Sequence, residues 1–170
     1  MAIIATEEIF GGPFDSTAVT ETVNGFPRGN KAVDAAFFAS MMSSIISDGI
    51  VSGRGEEFKV YPGGDLSVAV TPGCAWGNGY MAVSEEDVYF ELEEGHTYKV
   101  FIRFDSSGGK AELLVFEDDH GVIPMRSASI CDLVLAEITV GNDVTDITSA
   151  DIEDTRSDRQ MCGFVTSRLK

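Results

Sequence analysis

Positive charge is scarce in this chain. Twelve Lys and Arg stand against 28 Asp and Glu, a formal net charge of −16. Such a field repels phosphate backbones and anionic bilayers, so neither nucleic acid nor a membrane is expected as a partner. The acidity itself reads as a solubilising surface, with a calcium-dependent surface as the sharper alternative. Histidine is scarcer still: His96 and His120 sit beside Gly95 and Gly121 in expected turns, where an imidazole is solvated rather than catalytic. Cys74, Cys131 and Cys162 are widely spaced, with no CxxC pair and no Cys/His cluster. A zinc site is therefore not expected, and the thiols read as small buried hydrophobes in a reducing cytoplasm. No apolar run approaches the ~20 residues that cross a bilayer. The segment Met1–Glu8 lacks the basic start of a signal peptide. GxSxG, GxxxxGK and GxGxxG are all missing, so the expectation is a non-enzymatic protein with no cofactor and no metal.

What the chain does have is enough apolar sequence for one core. Its 170 residues are 44% hydrophobic, and a domain of that length buries about 70% of its unfolded surface. The expected layout is an extended arm over 1–29, a β-rich domain over 30–165 and a flexible tail over 166–170. Gly11-Gly12-Pro13, Asn24-Gly25 and Pro27-Arg28-Gly29-Asn30 interrupt regular structure in the arm. Ile3, Ile4, Ile9, Phe10 and Phe14 nevertheless need a surface to dock on, either their own domain or a neighbouring subunit.

A single helix is expected over about 31–47. Asn30 offers a cap, Asp34 an acid in the first turn and Gly49 a stop. Val33, Phe37, Met41 and Ile45 recur every four residues, with Phe38, Met42 and Ile46 in an adjacent stripe. That apolar arc is wider than one sheet face requires. A symmetry mate would cover the excess, which nominates Phe37, Phe38, Met41, Met42 and Ile45 as a homo-oligomer interface; an ordinary core helix is the alternative.

From Gly55 the period changes to two. Leu66, Val68 and Val70 share a face, as do Tyr98, Val100, Ile102 and Phe104, with Lys99, Phe101 and Arg103 opposite. Gly77-Asn78-Gly79 and Asp105–Gly109 are hairpin signals, and Pro62-Gly63-Gly64-Asp65 reads as a turn. Many short strands joined by tight turns predict a mainly β fold, an antiparallel β-sandwich or open barrel with one N-terminal amphipathic helix. No helix falls between strands, which excludes a doubly wound α/β fold.

Three sets of residues remain as candidates for function. Trp76, Tyr80 and Tyr89 are potential ligand aromatics, although a Trp in such a run more often packs in a core. Glu117-Asp118-Asp119-His120-Gly121 offers oxygen ligands but lacks the alternate spacing of an EF-hand loop. Thr148–Arg156 reads as a capped helical turn, with Asp151, Asp154, Arg156 and Arg159 forming local ion pairs that fasten the end of the domain.

The order of elements carries a resemblance. The Phe/Ala-rich helix precedes Pro72-Gly73-Cys74-Ala75-Trp76-Gly77-Asn78-Gly79-Tyr80, then Ala136-Glu137-Ile138-Thr139-Val140. Ile147-Thr148-Ser149-Ala150-Asp151-Ile152-Glu153-Asp154-Thr155-Arg156 and Cys162-Gly163-Phe164-Val165 follow. Together these stretches, from about Asn30 to Val165, resemble a domain near the N-terminus of baseplate and receptor-binding structural proteins of tailed phages and prophages of Gram-positive bacteria. The resemblance implies a β-rich virion-tail module, made in the bacterial cytoplasm, with other phage tail proteins as partners. It implies a homo-oligomer, a trimer being favoured, that holds a distal host-binding part, and it brings no catalytic residues. The chain ends soon after the last of these stretches, so attachment or assembly is the expected role ahead of direct receptor recognition.

Overall fold

The computed structural model describes residues 3–11, 22–23, 26–27, 35–53, 55–118 and 124–169, with side chains from residue 38 onward. Thirteen strands and one helix run in the order β1 (Ile3–Gly11), β2 (Thr22–Val23), β3 (Phe26–Pro27), α1 (Ala35–Ile45), β4 (Gly49–Ile50), β5 (Val60–Gly64), β6 (Ser67–Val70), β7 (Gly73–Gly77), β8 (Tyr80–Ser84), β9 (Val88–Glu91), β10 (Thr97–Asp105), β11 (Lys110–Glu117), β12 (Ile130–Thr139) and β13 (Ile152–Asp154). An eight-stranded sheet follows the order β13-β12-β10-β11-β1-β8-β7-β4, and a three-stranded sheet the order β5-β6-β9. β2 and β3 form a separate pair. The fold is mainly β and antiparallel between neighbouring strands, as the two-residue alternation requires.

The main core lies between the two larger sheets. Val60, Val68, Val70 and Phe90 on the smaller sheet meet Val100, Ile102, Phe104, Leu113, Val115, Leu133 and Leu135 on the larger one. The register explains the alternation: Val100 faces Val115, and Ile102 faces both Leu113 and Leu133, so each row presents apolar side chains to the same side. The hydroxyl of Tyr98, otherwise buried in this core, accepts from the Glu93 N–H at 3.0 Å.

Several expectations need correction. The first eleven residues are not irregular throughout: β1 lies inside the large sheet, pairing with β11 from Ile3 to Ile9 and with β8 at Phe10 and Gly11. An extended segment there supplies the missing partner for two strand edges. The helix ends at Ile45 rather than at residue 47, and Gly49 belongs to β4 instead of capping the helix. Asn30 and Asp34 lie outside the described residues. Pro62-Gly63-Gly64 runs as a bulged part of β5 rather than a turn. The segment from Thr148 is not a helical turn either. Thr148 N–H donates to Asp151 Oδ2 at 2.8 Å, closing a turn, and Ile152–Asp154 then pairs with β12. Strand pairing at the sheet edge overrides the local cap signal, because each residue of β13 gains a cross-strand partner.

The tail is tied down as well. Val165 N–H donates to Ile50 O at 2.8 Å, Ser47 N–H to Thr166 O at 2.9 Å and Arg168 N–H to Ile45 O at 2.7 Å. Residues 163–168 thus run beside β4 through isolated bridges and stitch the exit of α1 to the end of the domain.

Candidate functional site

The β7–β8 hairpin turns through two residues. Asn78 (φ 52°) and Gly79 (φ 81°) are both left-handed, as a type I′ turn demands. Asn78 N–H donates to Asp48 Oδ1 at 2.9 Å, which holds the exit of α1 against the turn. Gly79 meets the helix itself: a Cβ there would overlap the carbonyl of Ala39. Ala39 is accordingly buried, and it marks the side of α1 that rests on the domain.

The larger side chains of the helix are less covered. Met41 is 40% exposed, while Phe38, Met42 and Ile45 are half-buried. The side chain of Phe37 lies outside the described residues. All five nominated interface residues sit on α1, and the four whose side chains are described are covered incompletely.

The C-terminal motif is a clasp. Arg156, 5% exposed, receives Asp154 on two nitrogens at 2.9 and 2.7 Å. Its remaining nitrogen donates to Glu57 O at 2.7 Å and Gly55 O at 3.3 Å, binding the loop before β5. That pairing holds the Asp154 carboxyl below the usual carboxylate range. Between the two, Thr155 seals a bulge in β12. The register passes from Ala136 opposite Val100 to Val134 opposite Phe101, leaving Leu135 extra. Thr155 Oγ1 donates to Val134 O at 2.8 Å and Thr155 N–H to Leu135 O at 3.1 Å, so both carbonyls of the bulge find donors. Asp151 closes the preceding turn. Arg159 stands apart from this clasp, on the surface.

Two of the stretches that carry the resemblance, residues 72–80 and 162–165, meet at β4. Trp76 of the hairpin faces Gly49, and Gly163 of the C-terminal segment accepts the Ile50 N–H at 2.9 Å. A Cβ at Gly49 would come within 2.6 Å of the Gly163 oxygen, so the contact needs a glycine there.

The aromatic candidates do not converge. Trp76 and Tyr80 are half-buried on the β7–β8 hairpin, and Tyr80 packs on the core. Tyr89 is 60% exposed on the other sheet. Its companion there, missed in the sequence, is Tyr61. Both flank Ala69 across β6, and the hydrogen bond between their hydroxyls, with burial and the charge of nearby Asp87 adding to it, pushes the Tyr61 phenol up to about 12. Only the register of three strands places Tyr61 and Tyr89 together.

The acidic run from Glu117 is committed to neighbours. Glu117 Oε1 pairs with His96 Nδ1 at 2.7 Å and Asp118 with Lys99 Nζ at 2.6 Å; residues 119–121 lie outside the described residues. Among the described residues, no cluster of three or more His, Cys, Asp or Glu is arranged to hold a metal. Burial pushes the Cys131 and Cys162 thiols up to about 12 and raises that of the half-buried Cys74.

One concave feature was not anticipated. A cleft of about 200 Å³ opens between the exit of α1 and the C-terminal segment, lined by Arg126, Arg159, Arg168, Ser47, Asp48 and Thr166. Arg126 Nη2 donates to the carbonyls of Met161 and Cys162, both at 3.2 Å. Among the described residues, no carboxylate pairs with Arg159 or Arg168. These arginines are 33 or more residues apart in sequence from Arg126, so only the return of the chain to β4 assembles them.

No protein-family model, curated protein or solved structure matches this chain. Among the described residues, no helix is long and apolar enough to cross a membrane.

Proposed function

We propose that this chain is a non-enzymatic structural module of a phage or prophage tail tip, which assembles with copies of itself and attaches host-binding parts to the virion. The observation that carries the reading is α1, docked through Ala39 while Met41 remains 40% exposed beside half-buried Phe38, Met42 and Ile45. A closed homo-oligomer would bring the same side chains of each copy together and remove them from water. The meeting of two resemblance stretches at β4 supports the baseplate assignment, since each supplies a backbone contact there rather than a catalytic group. A trimer is the stoichiometry the resemblance favours, with other tail proteins as further partners and the virion tail as the location.

Light scattering after size exclusion tests the self-assembly. The expected result is a stable oligomer that Met41→Asp converts to a folded monomer, because an unpaired carboxylate cannot be buried at the interface without a large desolvation cost. A native chain that stays monomeric at high concentration sinks the reading.

A second reading has one observation in its favour. Half-buried Tyr61 and exposed Tyr89 form an aromatic pair next to Asp87, the kind of surface on which sugar rings stack. On that reading the module is a carbohydrate- or receptor-binding sandwich acting directly in adhesion. A glycan array decides between the two: binding that disappears in Tyr89→Ala favours adhesion, and a blank array favours assembly.

A further inference from the structure

The cleft between α1 and the C-terminal segment runs against the character of the whole molecule. The chain carries a formal charge of −16 and only 12 Lys and Arg, yet three arginines line this one concavity. Among the described residues, the only carboxylate in its lining is Asp48, and one oxygen of that group already accepts the Asn78 N–H at 2.9 Å. Positive charge is therefore in local excess. We infer that this cleft is a binding site for a compact tetrahedral oxyanion, a phosphate or phosphoester group.

Three features make the site fit that class. Guanidinium groups present planar forks of donors that match phosphate oxygens two at a time, and they remain charged at any physiological pH. Arg126 is held in place by its bonds to the Met161 and Cys162 carbonyls, so part of the ordering cost is met before a ligand arrives. The Ser47 and Thr166 hydroxyls lie in the same lining, hydrogen-bonded to each other at 3.2 Å, which leaves one hydroxyl proton as a neutral donor at the wall. The volume of about 200 Å³ suits a single phosphate-bearing group rather than a polymer.

The surrounding acidity sharpens the specificity. A long polyanion laid over this surface would meet the repulsion of a chain that carries 28 carboxylates in all. A small anion inside the cleft senses mainly its lining, because at physiological salt charges beyond about 8 Å are screened. The site thus admits a phosphate group while the protein as a whole rejects a nucleic-acid backbone.

Arg159 and Arg168 are the informative positions, since both are exposed and neither side chain holds the fold together. Calorimetric titration of the full chain with inorganic phosphate, at physiological salt and pH 7, should show saturable binding. The Arg159→Gln, Arg168→Gln double variant should keep the native melting temperature and lose about tenfold or more in affinity, as removal of charge-assisted hydrogen bonds implies. Acetate at matched ionic strength should not compete. The assignment is overturned if phosphate produces no saturable heat into the tens of millimolar, if the folded double variant binds as tightly as the native chain, or if acetate displaces phosphate at equal concentration. None of these outcomes depends on the oligomeric state, so they stand apart from the test of self-assembly.

Discussion

Along β10 the side chains of Val100, Ile102 and Phe104 enter the space between the sheets, while Lys99, Phe101 and Arg103 point to the other side of the same strand. Both faces are buried, but they bury different chemistry. The inner face is apolar from β11 across β10 to β12. The outer face mixes a stacked pair of rings, Phe101 and Phe116 with centroids 4.8 Å apart, with Arg103, whose guanidinium lies 5.4 Å from the Phe101 centroid. Arg103 in turn pairs on two nitrogens with Asp132, 1% exposed, at 2.8 and 2.9 Å, and Asp132 also accepts the Met125 N–H. Lys99 meets Asp118 and Glu137. An apolar face is held by packing and tolerates no gap; a mixed face is held by matched charges and tolerates no orphan.

That difference can be broken or sharpened by mutation. The largest effect is expected on the inner face. Phe104, buried against the backbone of Gly77, should cost about 4 kcal/mol when changed to Ala, read from denaturant unfolding. An equal loss for Phe101→Ala would show that packing, not chemistry, governs both faces. Next comes the outer ion pair. Asp132→Ala should cost about 3 kcal/mol by leaving Arg103 and the Met125 N–H without their acceptor. Replacing the pair together, Asp132→Leu with Arg103→Met, should recover most of that loss; a double variant as unstable as the single one would mean that the pair itself stabilises the fold.

The smallest effect is in pH dependence. Burial by itself lowers the Lys99 ammonium, but hydrogen bonds and charge from Asp118 and Glu137 outweigh it and hold Lys99 above its ordinary value. A raised folded value means that this stability is fully present below the unfolded lysine range, near 10.4, and is lost as pH rises through the folded value. Unfolding curves measured from neutral pH upward should therefore show a loss of stability beyond that range, and Lys99→Met should reduce its slope. An unchanged slope would remove Lys99 from the account.

Much of this architecture was legible in the residues. Strict alternation from Tyr98 to Phe104 gave the inner face of β10 correctly, because a pleated strand sends neighbours to opposite sides. Asn78-Gly79 gave the hairpin, since few other pairs adopt two successive left-handed conformations. The Asp154–Arg156 pairing was visible as a local motif. Its reach to the loop at Gly55 and Glu57 was not, because nothing near Arg156 in sequence marks a carbonyl a hundred residues away. The same blindness hid Tyr61 beside Tyr89 and the three arginines of the cleft. It also hid β1, whose sequence carries no signal for which strand edges it will occupy.

Local sequence, then, determined the strands of the central hairpins and which side of each is apolar, because backbone sterics and the two-residue period act over a few residues at a time. Tertiary structure alone decided which distant segments share an edge, how the outer face satisfies its charges, and where the few arginines gather. Those outcomes rest on long-range pairing: a strand edge accepts whichever segment best satisfies its hydrogen bonds and covers its side chains, and no short stretch of sequence names that segment in advance.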